Sequence, residues 1–204
     1  MQRTIQPNTV LTIASHNPGK VSEIRALLST YNVQVQSSCD VSVSEPDETG
    51  STFRENAIIK AVTTANSSGT LCLADDSGLS IDVLGGSPGI YSARWAGENK
   101  DFNLAIKRVE EEVMRTNSKP PWRATFNCTL CLAWPDAEFY IFEGIVEGHL
   151  VFPPRGSNGF GYDPIFRPVF SSLTFAEMSA EEKQVLNHRS IAFQKMTASV
   201  FENQ

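Results

Sequence analysis

The sequence has no long hydrophobic run. Its first apolar stretch, Val10-Leu11-Thr12-Ile13-Ala14, has no longer apolar region behind it, and such a segment is too short for a signal peptide or a membrane span. A basic excess is also missing: 17 Lys and Arg stand against 23 Asp and Glu, a net charge of -6. That balance excludes general binding to nucleic acid or to an anionic membrane, which needs a basic surface. A small anionic ligand stays open, because a few local cations can oppose the overall field. There is no internal repeat and no low-complexity linker, and the Gly85–Gly89 and Gly156–Gly161 stretches are too short to be tethers. Cysteine is sparse, at positions 39, 72, 128 and 131. Cys128 and Cys131 form a CxxC with no second copy to complete a zinc site. They lie in an alternating segment, where residues three apart point to opposite faces of a strand, so the sulfurs diverge. Buried free thiols in a reducing compartment are the expectation.

With 41% hydrophobic residues, the chain can bury a sizeable core, and its patterns alternate between strand and helix. Thr9–Ala14 reads as a buried strand that breaks at His16-Asn17-Pro18-Gly19. Val21, Ile24, Leu27, Leu28 and Tyr31 follow at helical spacing, which starts a helix near Lys20. Thr52 and Glu55 make a capping box for a second helix, with Phe53, Ile58, Ala61, Val62 and Ala65 inward. Leu71–Ala74 reads as a short strand ended by Asp75-Asp76-Ser77-Gly78. A third helix spans roughly 101–116, with Phe102, Ala105, Ile106, Val109 and Val113 on one stripe. Strands are expected at 122–134 and 138–151, joined by a turn at Pro135-Asp136. Ser179 and Glu182 form another capping box, and a last helix fills much of 189–202. The chain reads as a single mixed α/β domain over residues 1–204.

Four segments could carry chemistry. Ser15-His16-Asn17-Pro18-Gly19-Lys20 joins a strand to a helix and ends in lysine. It falls short of a P-loop, because Ala14 replaces the first glycine and Val21 replaces the residue that would hold magnesium. Loop N–H groups at a helix start, with an ammonium nearby, still suit a phosphate; a plain turn with a solvated lysine fits this segment equally well. Asp75-Asp76-Ser77-Gly78 puts adjacent carboxylates at a strand end, where burial needs a cation or donors. Hard oxygen ligands point to magnesium, yet taken alone these four residues read as a turn. Gly159 and Gly161 flank Phe160, leaving an aromatic ring on backbone that can approach a flat ligand, or a loop whose rings pack inward. Lys183, His188 and Arg189 gather cations before the last helix, where a solvated face is the default. His16 has no catalytic role in this reading, and His149 is structural.

Together the segments are far more specific than any one of them. Ile13–Lys20, Glu48–Ala57, Ala74–Leu79, Gly85–Arg94, Gly159–Phe166 and Glu181-Glu182-Lys183 with His188-Arg189 make the chain resemble the Ham1/RdgB family of inosine triphosphate pyrophosphatases. The match runs nearly the whole length. It departs at Asn187, where a serine is common, and at Pro153-Pro154. The resemblance implies a long curved mixed sheet with flanking helices, two lobes around a central cleft, and a homodimer. It implies Mg²⁺-dependent hydrolysis of ITP, dITP and XTP to the monophosphate and pyrophosphate, in the cytoplasm. It assigns the triphosphate to the Ser15–Lys20 loop (with Ser15, Asn17 and Lys20 holding it), Lys60 and Ser77, and the general base to Asp76. Acidic metal ligands fall among Glu48, Asp75 and Asp76. Base recognition falls on the Phe160-Gly161-Tyr162-Asp163 segment, Lys183, His188 and Arg189. Two other readings compete: a Maf-like pyrophosphatase for modified or pyrimidine nucleotides, and a nucleotide sensor without catalysis.

Overall fold

The structure is a computed structural model, and it describes residues 3–201. Six strands, β1 (Thr9–Ala14), β2 (Val33–Ser37), β3 (Leu71–Ile81), β4 (Arg123–Ala133), β5 (Phe139–Leu150) and β6 (Phe166–Pro168), form a sheet in the order β2-β1-β3-β4-β5-β6. β1 runs parallel to both β2 and β3, whereas β5 and β6 are antiparallel, so the sheet is mixed. Among the described residues five α-helices accompany it: α1 (Pro18–Leu28), α2 (Phe53–Ser68), α3 (Phe102–Arg115), α4 (Ala180–Leu186) and α5 (His188–Val200). Among the described residues no helix is long and apolar enough to cross a membrane. The chain divides into two compact units. The first takes Met1–Asp76, Cys128–Gly144 and Arg189–Gln204; the second takes Ser77–Asn127 and Ile145–His188.

In the first unit the period-two alternation of β3 sorts side chains into two different cores. Leu71 and Leu73 join Leu11, Ile13, Leu130 and Leu132 in a cluster with Ile24 and Leu28 of α1 and Phe193, Met196 and Val200 of α5. Cys72 and Ala74 instead join Ala57, Ala61 and Ala65 of α2, with Cys131 and Ala133. Large side chains fill the space under α1 and α5; small ones let α2 lie close. Cys128 belongs to the first cluster and Cys131 to the second, and all four cysteines are free. The two sulfurs of the CxxC therefore diverge, as the strand pattern requires.

Helix starts follow local chemistry. α1 begins at Pro18, two residues before the sequence places it, because Asn17 caps it and proline suits the first helical position. Thr52 accepts the N–H of Glu55 to start α2. Glu55 does not complete a capping box with Thr52; its carboxylate turns to the N–H and hydroxyl of Ser51. The buried face of α2 also differs from the apolar set expected, since Asn56, Lys60 and Thr64 are all buried beside the alanines.

In the second unit α3 is capped by Asp101 and buries Ala105, Ile106, Val109 and Val113 of the expected stripe, with Phe102 half-buried. Phe126, Phe166 and Phe175 pack ring against ring. At the start of α4 both arms of the Ser179–Glu182 capping box are formed. The last helix starts at His188, one residue early; its expected end at Glu202 lies outside the described residues.

β3 corrects the sequence reading most. The strand does not stop at Ala74 but runs through Asp75-Asp76-Ser77-Gly78 to Ile81. Both carboxylates are thus buried in mid-strand, 1% and 4% exposed, which only bound cations make tolerable.

Candidate active site

The faces of β3 decide which cation each aspartate meets. Asp75 follows Leu71 and Leu73 towards α1 and α5, and Asp76 follows Cys72 and Ala74 towards α2. Lys20, in the first turn of α1, places its ammonium 2.6 Å from Asp75 Oδ1. Arg189, in the first turn of α5, donates from Nε to Asp75 Oδ2 at 2.8 Å. The Cys128 thiol donates to the same oxygen at 3.1 Å. Glu23, one turn beyond Lys20 on α1, pairs with Nη1 of Arg189. Burial alone would raise the Asp75 pKa, but Arg189 and Lys20 outweigh it and hold the carboxyl well below its ordinary value. Arg189 is held above its ordinary value, because Asp75 and Glu23 overcome the effect of burial. Two anions and two cations make this group electrically balanced.

The other face is arranged differently. Lys60, buried on α2, donates to Glu48 Oε1 at 2.5 Å and to Asp76 Oδ1 at 2.9 Å. Burial would lower the lysine pKa, yet Asp76 and Glu48 raise it. For Asp76 the effect of burial prevails over Lys60 and Lys20, Glu48 adds to it, and the carboxyl titrates above its ordinary value. Two carboxylates here face one ammonium, and the second oxygen of Asp76, Oδ2, is buried with no hydrogen-bond partner. A hard divalent cation fits that oxygen and that surplus of negative charge. Asp75 lacks the same opening, because both its oxygens are engaged. Among the described residues no three His, Cys, Asp or Glu side chains converge on a common point. Mg²⁺ suits such a sparse set, since it commonly takes one or two carboxylates and completes its shell with water and phosphate oxygens.

The Ser15–Lys20 loop offers side chains more than backbone donors. Asn17 Oδ1 accepts the N–H groups of Gly19 and Lys20, at 3.0 and 3.3 Å, and Ser15 Oγ accepts that of Asn17. Pro18 has no N–H to give. An anion would thus meet chiefly the Lys20 ammonium, the Ser15 hydroxyl and the Asn17 amide. His16 lies 3.5 Å from Glu45. Ser77, half-buried, is the next residue of β3 but belongs to the second unit.

Within that second unit, Asp163 Oδ2 accepts from Lys183 Nζ at 2.6 Å and from the Phe160 N–H at 2.9 Å. The Lys183 ammonium lies 4.7 Å from the Phe160 ring centroid. Gly159 makes this turn possible: its φ is +72°, and a Cβ there would lie 2.1 Å from Asp163 Oδ2. Gly161 also has positive φ, and the Tyr162 hydroxyl donates to the Ser92 carbonyl at 2.8 Å. His188 is stacked on Phe126, 4.8 Å between centroids and 8° between planes. Phe160, Asp163 and Lys183 therefore form one local assembly, with His188 on the aromatic cluster. Arg189 belongs to the first unit, where it is 1% exposed and engaged by Asp75 and Glu23.

Sequence reasoning passed over Glu23, Asn56 and Cys128. Glu23 lies three residues from Lys20 and Asn56 four from Lys60, the spacings that share a helix face. Cys128 was marked by its CxxC and its alternation, neither of which points to Asp75.

Comparison with known proteins agrees with this mixed sheet and its flanking helices. The model of the Ham1 family matches residues 11–199, and the chain belongs to that family. A dITP/XTP pyrophosphatase of Rhizobium meliloti (strain 1021) is 48% identical, covering 95% of each chain. One from Caulobacter vibrioides is 50% identical over 94% of this chain and 98% of its own. Among solved structures, a HAM1 protein from Coxiella burnetii superposes with a TM-score of 0.85 at 37% identity, over 93% of this chain and 97% of that one. The Staphylococcus aureus Ham1 protein gives 0.80 at 38% identity, covering 93% and 96%.

Proposed function

We propose that the chain hydrolyses non-standard purine nucleoside triphosphates, namely ITP, dITP and XTP, to the monophosphate and pyrophosphate. The single observation that carries the chemistry is Asp76: a buried carboxylate with one oxygen on Lys60, the other unpartnered, and a raised pKa. The names of the nearly full-length relatives supply the substrate class.

In this reading Asp76 takes a proton from the water that attacks the α-phosphorus. Lys20 and Lys60 stabilise the charge that builds on the phosphate oxygens. Ser15, Asn17 and Ser77 orient the triphosphate, and His16, Pro18 and Gly19 shape the loop around it. Mg²⁺, held by Glu48 and Asp76, would neutralise charge on the departing pyrophosphate. Asp75 fixes the position of Lys20 and is itself held by Arg189.

Phe160 stacks on the base, a contact worth about 1–3 kcal/mol where it forms. Gly161 and Tyr162 shape its surround. Lys183, oriented by Asp163, gives a hydrogen bond to the 6-oxo group of hypoxanthine or xanthine, and His188 supports that edge. Adenine carries a 6-amino donor there, and an ammonium cannot accept from it. A site left with unpaired polar groups can discriminate by about 10⁴–10⁵. The protein works as a homodimer in the cytoplasm on free nucleotides.

Pyrophosphate release from ITP, dITP and XTP, measured beside ATP, GTP and dTTP with Mg²⁺ or EDTA, tests the reading. Rapid release from the deaminated purines in Mg²⁺ alone is the expected result. Faster turnover of pyrimidines would favour the Maf-like alternative, and binding without release would favour a sensor.

A further inference from the structure

We propose that Asn56 is a positioning residue for Glu48, fixing the acidic loop so that its carboxylate meets Lys60 and the metal. The inference rests on the proposed function and adds a residue to its machinery. Glu48 lies on a segment without regular secondary structure, just before α2. Such a segment has many conformations to lose, and the Lys60 contact alone fixes only the tip of one side chain.

The backbone is secured two residues further on. Asn56 Oδ1 accepts the Gly50 N–H at 2.8 Å, and Glu55 takes the N–H and hydroxyl of Ser51. The loop lies hard against the helix there: a Cβ on Gly50 would come 2.6 Å from Glu55 Cβ and 2.7 Å from Asn56 Oδ1. Asn56 stands four residues before Lys60, on the same buried face of α2. One helix face thus holds the backbone beside Glu48 with an amide and the Glu48 carboxylate with an ammonium.

The choice of asparagine is informative. Asn56 is fully buried, and its Nδ2 has no hydrogen-bond partner, an arrangement that costs stability. Aspartate would accept the Gly50 N–H equally well without an idle donor. It would also add a third carboxylate one turn from Lys60, competing with Glu48 and Asp76 for the ammonium. A neutral acceptor keeps that ammonium where the two acids need it.

Hydrogen exchange and kinetics on the full chain separate this role from simple stability. In Asn56→Ala, exchange across residues 45–51 should quicken at least tenfold while the centre of α2 stays protected. The Mg²⁺ concentration for half-maximal ITP hydrolysis should rise at least fivefold, with the KM for ITP at saturating Mg²⁺ changed less than twofold. Asn56→Asp should raise the Mg²⁺ requirement without loosening the loop. Gly50→Ala attacks the same contact from the loop side and serves if Asn56→Ala does not fold; it should reproduce both effects. Unchanged loop exchange, uniform loosening of all of α2, or a Mg²⁺ requirement within twofold of wild type overturns the inference. If wild-type protein hydrolyses no ITP at any Mg²⁺ concentration, the proposed function fails instead, and loop exchange still decides whether Asn56 holds the loop.

Discussion

Asp75 and Asp76 are adjacent in one strand and titrate in opposite directions, Asp75 below its ordinary value and Asp76 above it. The pleat sends Asp75 towards Lys20 and Arg189, and Asp76 towards Lys60 and Glu48. In the proposed function the same residue type serves as a structural anion on one face and as a base on the other. Surroundings that push apart the pKa values of two like groups are how such roles are divided.

Asp76→Asn should keep the fold and lower kcat for ITP by about 10²–10⁴, the usual contribution of a positioned base. KM should change little. Steady-state pyrophosphate release measures both; near-wild-type turnover would move the base elsewhere.

Lys60→Met removes the cation between buried Asp76 and half-buried Glu48. Breaking a buried ion pair from one side costs about 3–5 kcal/mol, so a large drop in Tm is expected. Added Mg²⁺ should recover part of that drop in Lys60→Met, and less when Asp76→Asn is combined with it. Thermal denaturation with Mg²⁺ or EDTA reads out the difference.

The two aspartates give stability opposite pH dependences. The depressed Asp75 contributes stability that is present above the unfolded value near 3.8 and is lost as pH falls through its lower folded value. The gap between wild type and Asp75→Asn should therefore narrow as pH drops below 3.8 in urea unfolding. The raised Asp76 has the reverse sign: its contribution is present below 3.8 and is lost as pH rises through its folded value. Asp76→Asn should become less destabilising, or even stabilising, as pH rises through that range. A gap with no pH dependence would contradict the assigned environments.

Substrate choice should separate Lys183 from Arg189. Lys183→Met should lower ITP turnover much more than ATP turnover and shrink their ratio. Arg189→Lys should lower both together, because its Nε and Nη1 hold Asp75 and Glu23. A change in the ITP-to-ATP ratio in Arg189→Lys would return that residue to the base. Gly159→Ala offers an independent check: the added methyl has no room beside Asp163, so it should mimic Lys183→Met with Arg189 untouched.

Much of this was legible in the sequence wherever the signal was local. The first strand is bounded as the Thr9–Ala14 run predicts, α3 buries four of the five residues of its expected stripe, and Ser179–Glu182 caps α4. The alternation around Cys128 and Cys131 correctly separates two thiols that a motif reading would pair. What was not local was not legible. Asp75-Asp76-Ser77-Gly78 has the composition of a turn, and it continues as strand because cations arrive from positions 20, 60 and 189. β2 escaped notice because Val33–Ser37 is short and half-exposed, and pairing with β1 gives it its register. Candidate site residues could be named from their motifs, but Arg189 has a guanidinium equally able to meet a base or an acid. Only the fold reveals the acids, Asp75 and Glu23, that it pairs with.

The thiols have a practical consequence. Cys72, Cys128 and Cys131 are sealed in the interior, with burial keeping each protonated, whereas Cys39 is exposed just beyond β2. A maleimide dye added to the native protein should attach at that one position, giving a singly labelled reporter with no cysteine engineered away.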